Sequence, residues 1–279
     1  MPTIQWFPGH MAKARTQVQE KLKFVDFVIE VVDARLPLSS RNPMLEKIVG
    51  DKPRLLILNK SDLAENTTDW LSYFGHALAA NSKEQITSKR VLKAAKELLA
   101  DKIKRNTERG IQNTVLRTMV IGIPNSGKST LLNTLAGKSS AKTGNKAGVT
   151  RAQQWIRSNK ELEIIDTPGI LWPKFEDQTV GLKLALTGAI KDDIYPQDDV
   201  TIFGLEFFAK HHPERLEKLY GQLPDTSIPD YIVELTAKMG FRDAYERFYT
   251  RFINDVRNGK LGRFCLDQIE EAKTNDADN

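Results

Sequence analysis

The chain has 279 residues, 40% hydrophobic and 28% charged, with a formal net charge of +5. That length and apolar content support at least one sizeable core, as one large domain or two modest ones, so disorder is not the default reading. The apolar stretches are far shorter than the roughly 20 residues a bilayer span needs, so no membrane partner is expected, while the positive balance is compatible with a polyanionic partner without identifying one.

From the start, Met1 to His10 has neither the basic and apolar regions nor the cleavage site of a secretory signal, which points to the cytoplasm. A helical stretch follows from Met11 to Leu22. Val25 to Val32 is rich in β-branched residues, closes on Asp33-Ala34-Arg35 and reads as a buried strand. Pro43 to Val49 reads as a short helix, with Pro43 suited to its first turn and Gly50 to its stop. Leu55 to Leu58 is a second strand, running into Asn59-Lys60-Ser61-Asp62. A helix over Thr68 to Phe74, a strand over His76 to Ala80 and one long helix over Arg90 to Lys104 continue the alternation. Strands alternating with helices imply a mostly parallel sheet with helices on both faces.

A polar linker, Asn106 to Thr114, leads to a strand over Leu116 to Ile123 and a helix over Lys128 to Ala136. Gln154 to Arg157 and Leu162 to Ile165 read as two further strands, the second ending on Asp166. From Val180 the pattern turns helical, around Val180 to Ala189, Gly204 to His211, Pro213 to Tyr220, Asp230 to Met239 and Phe241 to Val256. The lone Cys265 can form no internal disulfide and has no neighbours at metal-ligand spacing. Lys273 to Asn279 is expected to be disordered.

Gly122-Ile123-Pro124-Asn125-Ser126-Gly127-Lys128-Ser129 fits the G-x-x-x-x-G-K-[ST] phosphate loop and stands between a strand and a helix, as that loop requires. Asn125, Ser126, Gly127, Lys128, Ser129 and Thr130 are therefore expected to surround phosphates. Their backbone N–H groups and the helix N-terminus face the anion, Lys128 reaches its terminal groups, and the Ser129 hydroxyl ligates Mg2+. Asp166-Thr167-Pro168-Gly169 closes a strand, where Asp166 can hold the magnesium shell and the Gly169 N–H can approach the terminal phosphate. Alone it would be an ordinary Pro-Gly turn, but a phosphate loop upstream favours the functional reading. Thr150, in the polar stretch between the two motifs, offers a second hydroxyl to the metal.

Asn59-Lys60-Ser61-Asp62 selects the base. The Asp62 carboxylate can accept hydrogen bonds from N1 and N2 of guanine, a donor pair that adenine lacks. Asn59 can steady the ring edge and the Lys60 stem can lie along its face. Asn81 and Ser82, after the next strand, stand where a second base-contacting loop belongs. The expected ligands are thus GTP and GDP.

The order N-K-x-D, phosphate loop, Thr, D-T-P-G resembles that of the circularly permuted GTPases. Trp6-Phe7-Pro8-Gly9-His10-Met11, Val32-Asp33-Ala34-Arg35, the run from Asp166 to Asp177 and Gly188-Ala189-Ile190-Lys191-Asp192 are similar to the ribosome biogenesis GTPase A family, over essentially the whole chain. The resemblance implies a circularly permuted α/β GTPase domain over 1–178 and a small all-helical RNA-binding domain over 179–279. It implies a factor assisting late assembly of the large (50S) ribosomal subunit, with the subunit precursor and its rRNA as partners and no DNA.

Ile170 occupies the position where many GTPases carry a water-orienting Gln, and an aliphatic side chain cannot do that work. The resemblance points to His10 instead, with a helix-capping histidine as the alternative. It also matches Asn125 to the residue that helps coordinate K+ in potassium-activated relatives, with a loop-stabilising Asn as the alternative. Lys183, Lys191 and Arg257 are candidate RNA contacts. Competing functions are a small-molecule kinase, disfavoured by the base motif, and a signalling switch that binds only proteins.

Overall fold

The computed structural model describes residues 9–137, 155–158, 161–167, 169–172, 175, 177–223 and 227–277. Its strands are β1 (Phe27–Asp33), β2 (Arg54–Asn59), β3 (Ala77–Ala80), β4 (Leu116–Ile121), β5 (Trp155–Arg157) and β6 (Leu162–Asp166), in one sheet of order β3-β2-β1-β4-β6-β5. Neighbours are parallel except β5, which runs antiparallel to β6. Every residue of β1 is buried, as a strand rich in β-branched residues and covered on both faces requires, and the one charge in its interior, Glu30, pairs with Arg54 at 3.0 Å.

Covering helices are α1 (Gly9–Leu22), α2 (Pro43–Val49), α3 (Thr67–Phe74), α4 (Ile86–Leu98), α5 (Ala100–Glu108) and α6 (Lys128–Ala136). One face of the sheet packs Phe27, Ile29 and Val31 with Val91 and Ala95 of α4 and Leu131 and Leu135 of α6. The other packs Val28 with Val18 of α1 and with Leu45 and Val49 of α2. The Asn42 side chain caps α2 by accepting from Met44 N at 2.9 Å, and Pro43 fills the first turn.

After the sheet come α7 (Gln178–Leu186), α8 (Gln197–His211), α9 (Pro213–Tyr220), α10 (Ile228–Lys238), α11 (Tyr245–Arg257) and α12 (Ile269–Ala277). Phe208, Leu216, Tyr231, Phe248 and Phe252 centre the core of α7 to α11, which also takes in Leu36, Ile123, Leu171 and Phe175. The first two of these follow β1 and β4. The helical layer therefore rests on the carboxyl edge of the sheet, where loops bearing ligand sites gather in open α/β folds. Among the described residues, no helix is long and apolar enough to cross a membrane.

Three expectations are corrected. The single helix over Arg90 to Lys104 is two helices, because Leu99 leaves the α region (φ −110°, ψ 23°) and turns its side chain into the sheet core. The linker is shorter than Asn106 to Thr114, since α5 runs to Glu108; Asn106 Nδ2 donates to Thr114 Oγ1 at 3.2 Å across the remaining turn. The tail is helical to Ala277. Ile269 and Ala272, one turn apart, bury themselves against Trp70 of α3, an anchor hidden in a polar sequence.

Asp267, just before α12, ties the two layers. Its buried carboxylate accepts from Leu38 N and Ser39 N, both at 2.8 Å, from Ser39 Oγ at 2.6 Å and from Lys183 Nζ of α7 at 3.0 Å. Asp267→Ala leaves Lys183 and two N–H groups without their acceptor. We expect a loss of about 3–5 kcal/mol in urea unfolding; a loss below about 1 kcal/mol, the range of an exposed ion pair, would refute the anchoring role.

Candidate functional site

The phosphate loop connects β4 to α6 and lies at the carboxyl edge of the sheet beside β1. Gly122 (φ +147°) passes so close to β1 that a Cβ there would stand 2.3 Å from Val31 O. Asn125 (φ +57°) and Gly127 (φ +96°) both adopt left-handed conformations, the backbone habit that turns successive N–H groups toward an anion. Ser126 Oγ donates to Ile123 O at 3.0 Å and closes the loop, and Lys128 Nζ donates to the same oxygen at 2.6 Å. Ser129 and Thr130 are exposed in the first turn of α6.

The base motif follows β2, and Asn59 joins it to the phosphate loop. Its Nδ2 donates to Ser126 O at 2.7 Å, while its Oδ1 accepts from Ser82 N at 3.0 Å and Ser82 Oγ at 2.6 Å. Three loops separated in sequence thus meet on one amide. Gly127 has to be glycine beside it, because a Cβ would fall 2.0 Å from Asn59 Nδ2. Asp62 is exposed on the short turn after Lys60. Asn81 instead bonds within its own loop, accepting from Lys83 N at 3.1 Å and donating to Glu84 at 3.4 Å.

Asp166 ends β6, the strand next to β4. Loss of hydration raises its carboxyl above the ordinary value, against a hydrogen bond from Thr167 N–H and the attraction of Lys128 and Lys21. Burial pushes the Lys128 ammonium down to about 8, against the pull of Asp166. A hydroxyl at Ser129, in the first turn of α6, and a carboxylate at Asp166, at the end of β6, are hard oxygen donors suited to Mg2+ when phosphate oxygens complete the shell. Gly169 lies against Lys128 and Pro124: a Cβ would stand 2.8 Å from Lys128 Nζ. Ile170 is buried in the core under α1 and α2, so it takes no part in water chemistry. His10 lies in the first turn of α1, which starts before Met11, and its side chain falls outside the described residues, as does all of Thr150.

Five contacts have no counterpart in the sequence motifs. Asn125 Nδ2 donates to Gly188 O, just past α7, at 2.7 Å. Asn42 Nδ2 donates to Ile170 O at 2.8 Å, and Lys21 Nζ to Asp166 O at 2.8 Å, fixing the D-T-P-G segment from two sides. Asp33, at the end of β1, pairs with Lys60 at 2.8 Å and Arg35 at 2.7 Å. Only the two at Asp33 had a signal, a charge closing a strand rich in β-branched residues.

A base loop on β2 that precedes, in the chain, the phosphate loop on β4, with both at one sheet edge, defines a circularly permuted P-loop GTPase. Comparison with known proteins agrees. A family model described as "50S ribosome-binding GTPase" matches residues 117–229. Ribosome biogenesis GTPase A of Bacillus cereus is 50% identical, over 96% of this chain and 95% of its own. The protein of that name from Priestia megaterium is 48% identical, over 97% and 99%. Among solved structures, a GDP-bound YlqF superposes with a TM-score of 0.67 at 24% identity, over 91% of this chain and 99% of that one, which shows the shared fold. The chain belongs to the ribosome biogenesis GTPase A family and is a GTPase.

The depressed ammonium makes nucleotide binding depend on pH. Without nucleotide, Lys128 loses its proton near pH 8 rather than at the ordinary 10.5; phosphates favour the charged form and restore it. Binding at pH 8 therefore takes up a proton, and affinity falls as pH rises from 8 toward 10.5. Calorimetry of GDP binding at pH 8 in two buffers of different protonation enthalpy should show uptake in the parent and none in Lys128→Met.

Proposed function

We propose that this GTPase binds GTP with Mg2+ and hydrolyses it on a precursor of the large ribosomal subunit, in the cytoplasm, assisting late maturation of that particle through contacts with its rRNA. One observation carries this reading: relatives named Ribosome biogenesis GTPase A share about half their residues with this chain from end to end, helical layer included. The matched family model, whose description names the 50S ribosome, runs from β4 into that layer. Residues 1–178 form the GTPase unit, and 179–279 the unit that meets RNA.

In this reading Asp62, Lys60 and Asn59 hold guanine, with Asn81 and Ser82 behind them. The phosphate loop from Asn125 to Thr130 and Gly169 hold the phosphates, and Ser129, Asp166 and Thr150 hold the metal. Lys128 draws charge off the terminal phosphate as its bond to the leaving oxygen breaks, and a magnesium ion held by those residues would supply further electrostatic neutralisation there. His10, carried on α1, orients the attacking water. The Asn125 amide N–H is committed to Gly188 O, which leaves its oxygen as the acceptor a potassium ion would use.

Of the three candidate RNA cations, only Lys191 is exposed and outside an internal ion pair. Lys183 is paired with Asp267, and Arg257 donates to Ala185 O, Leu186 O and Asp192. Each is held by a partner inside the fold, so RNA contact rests on other surface cations.

Sedimentation with ribosomal particles tests the function. The full chain with a non-hydrolysable GTP analogue should travel with large-subunit particles, less so with GDP, and less as salt rises. Association with neither particle in either nucleotide state would leave a switch that binds only proteins. For the base, Asp62→Asn should lower GDP affinity at least roughly a hundredfold and raise affinity for xanthosine diphosphate, whose extra carbonyl accepts from the new amide. Competition binding reads both, and unchanged guanine preference would remove Asp62 from base selection.

A further inference from the structure

Lys60 is in a left-handed conformation, φ +60° and ψ 35°, which costs a side-chain-bearing residue and persists only where the surroundings enforce it. The Lys60 side chain is held across the sheet edge, while its carbonyl accepts from Leu63 N at 2.9 Å. Asp33 stands opposite Asn59 in the β1–β2 register, and its Oδ2 accepts from Lys60 Nζ at 2.8 Å. The Asp33 side chain is only 5% exposed and that of Lys60 25%. Burial alone would raise the Asp33 carboxyl, but Arg35 and Lys60 together hold it well below the carboxylate range. Asp33 is thus an anion at any working pH, placed between the base loop and the phosphate loop.

Arg35 holds the other side of Asp33, donating from Nε at 2.9 Å and from Nη2 at 2.7 Å. Arg35 is fixed by the helical layer. Its Nη2 also donates to Thr187 O at 3.3 Å, its guanidinium lies over the Phe264 ring at 5.6 Å, and its carbonyl accepts from Leu266 N at 2.9 Å. The order of support runs from the helical layer to Arg35, then to Asp33, then to the Lys60 ammonium.

We propose that Asp33 is a positioning residue for guanine-nucleotide binding: it pins the Lys60 ammonium so that the lysine stem stands as a fixed apolar wall for the base before nucleotide arrives. This rests on reading Asn59 to Asp62 as the base-contacting motif. A free lysine would have to surrender its rotamers on binding, and immobilising one such side chain costs up to about tenfold in affinity. The pin moves that cost to folding.

Binding and dissociation of a fluorescent GDP, with thermal unfolding of each nucleotide-free protein, test the proposal in the full chain. Asp33→Asn should weaken GDP binding by about tenfold, chiefly through faster release. Lys60→Met should weaken it similarly, and the double variant should be no weaker than the worse single one, because both remove one device. If Lys60→Met leaves GDP affinity unchanged, the base-loop reading fails and the pin with it. If Lys60→Met weakens binding while Asp33→Asn lowers only the melting temperature, or if the two losses multiply, the base-loop reading stands and the pin is wrong. Should Asp33→Asn not fold, amine labelling of the parent protein decides. Lys60 should react more slowly than the exposed Lys191 both before and after GDP is added, and equal rates without nucleotide would overturn the pin.

Discussion

Everything at the nucleotide edge is built around the Asn59 side-chain amide. A backbone loop rich in glycine and left-handed residues has little to define it, because such residues have many conformations open to them. Asn59 supplies a donor to Ser126 O and an acceptor to Ser82 N and Oγ, all within 3.0 Å, and so fixes three loops to one rigid strand end. The strand can serve as that reference because it lies inside a sheet covered on both faces, where a shift of register would expose its apolar side chains. The glycine at 127 is a consequence: a methyl group there would occupy the place of the amide.

The second level of order comes from the helical layer. The carbonyls at the end of α7 are taken up one after another: Ala185 and Leu186 by Arg257, Thr187 by Arg35, Gly188 by Asn125. A helix end normally leaves such groups to water. Here two of the donors belong to the nucleotide edge, so the helices are held by the elements that surround the ligand. Glu65, just beyond the base loop, adds an ion pair with Arg215 at 3.5 Å and a contact with His212 at 3.1 Å. Because several of these groups desolvate together, removing one partner leaves others unsatisfied, and the joint yields as a unit rather than contact by contact.

The phosphate loop, the base motif and the strand alternation were legible because each is written in adjacent residues. G-x-x-x-x-G-K-S carries its own turn chemistry, and β1 announces itself by a run of β-branched residues. What was not legible depends on residues far apart. The role of Asp33 needs Lys60 from the next strand, and that of Arg35 needs Thr187 and Phe264 from the helical layer. Lys183 and Arg257 were read as surface cations because a charge in an amphipathic helix is most often solvated; the acids that claim them, Asp267 and Asp192, lie 84 and 65 positions away. The break at Leu99 and the helix over Ile269–Ala277 were missed for a related reason. Propensity favours one long helix in the first and none in the second, and packing against the sheet and Trp70 overrides it.

The turn between Glu108 and Leu116 connects the part of the chain that carries the base motif to the part that carries the phosphate loop. It sits at the amino edge of the sheet, one strand length from the crevice, and its residues 109–113 are exposed. The hydrogen bond between Asn106 and Thr114 closes its base, so the flanking helix and strand do not rely on its tip for register. Such a loop is a natural splice point. Lengthening it adds little closure entropy, since each doubling costs only about 0.6 kcal/mol. A reporter domain grafted there would ride on the far side of the molecule from both the nucleotide and the helical layer, giving a handle for watching the protein on its particle without touching either.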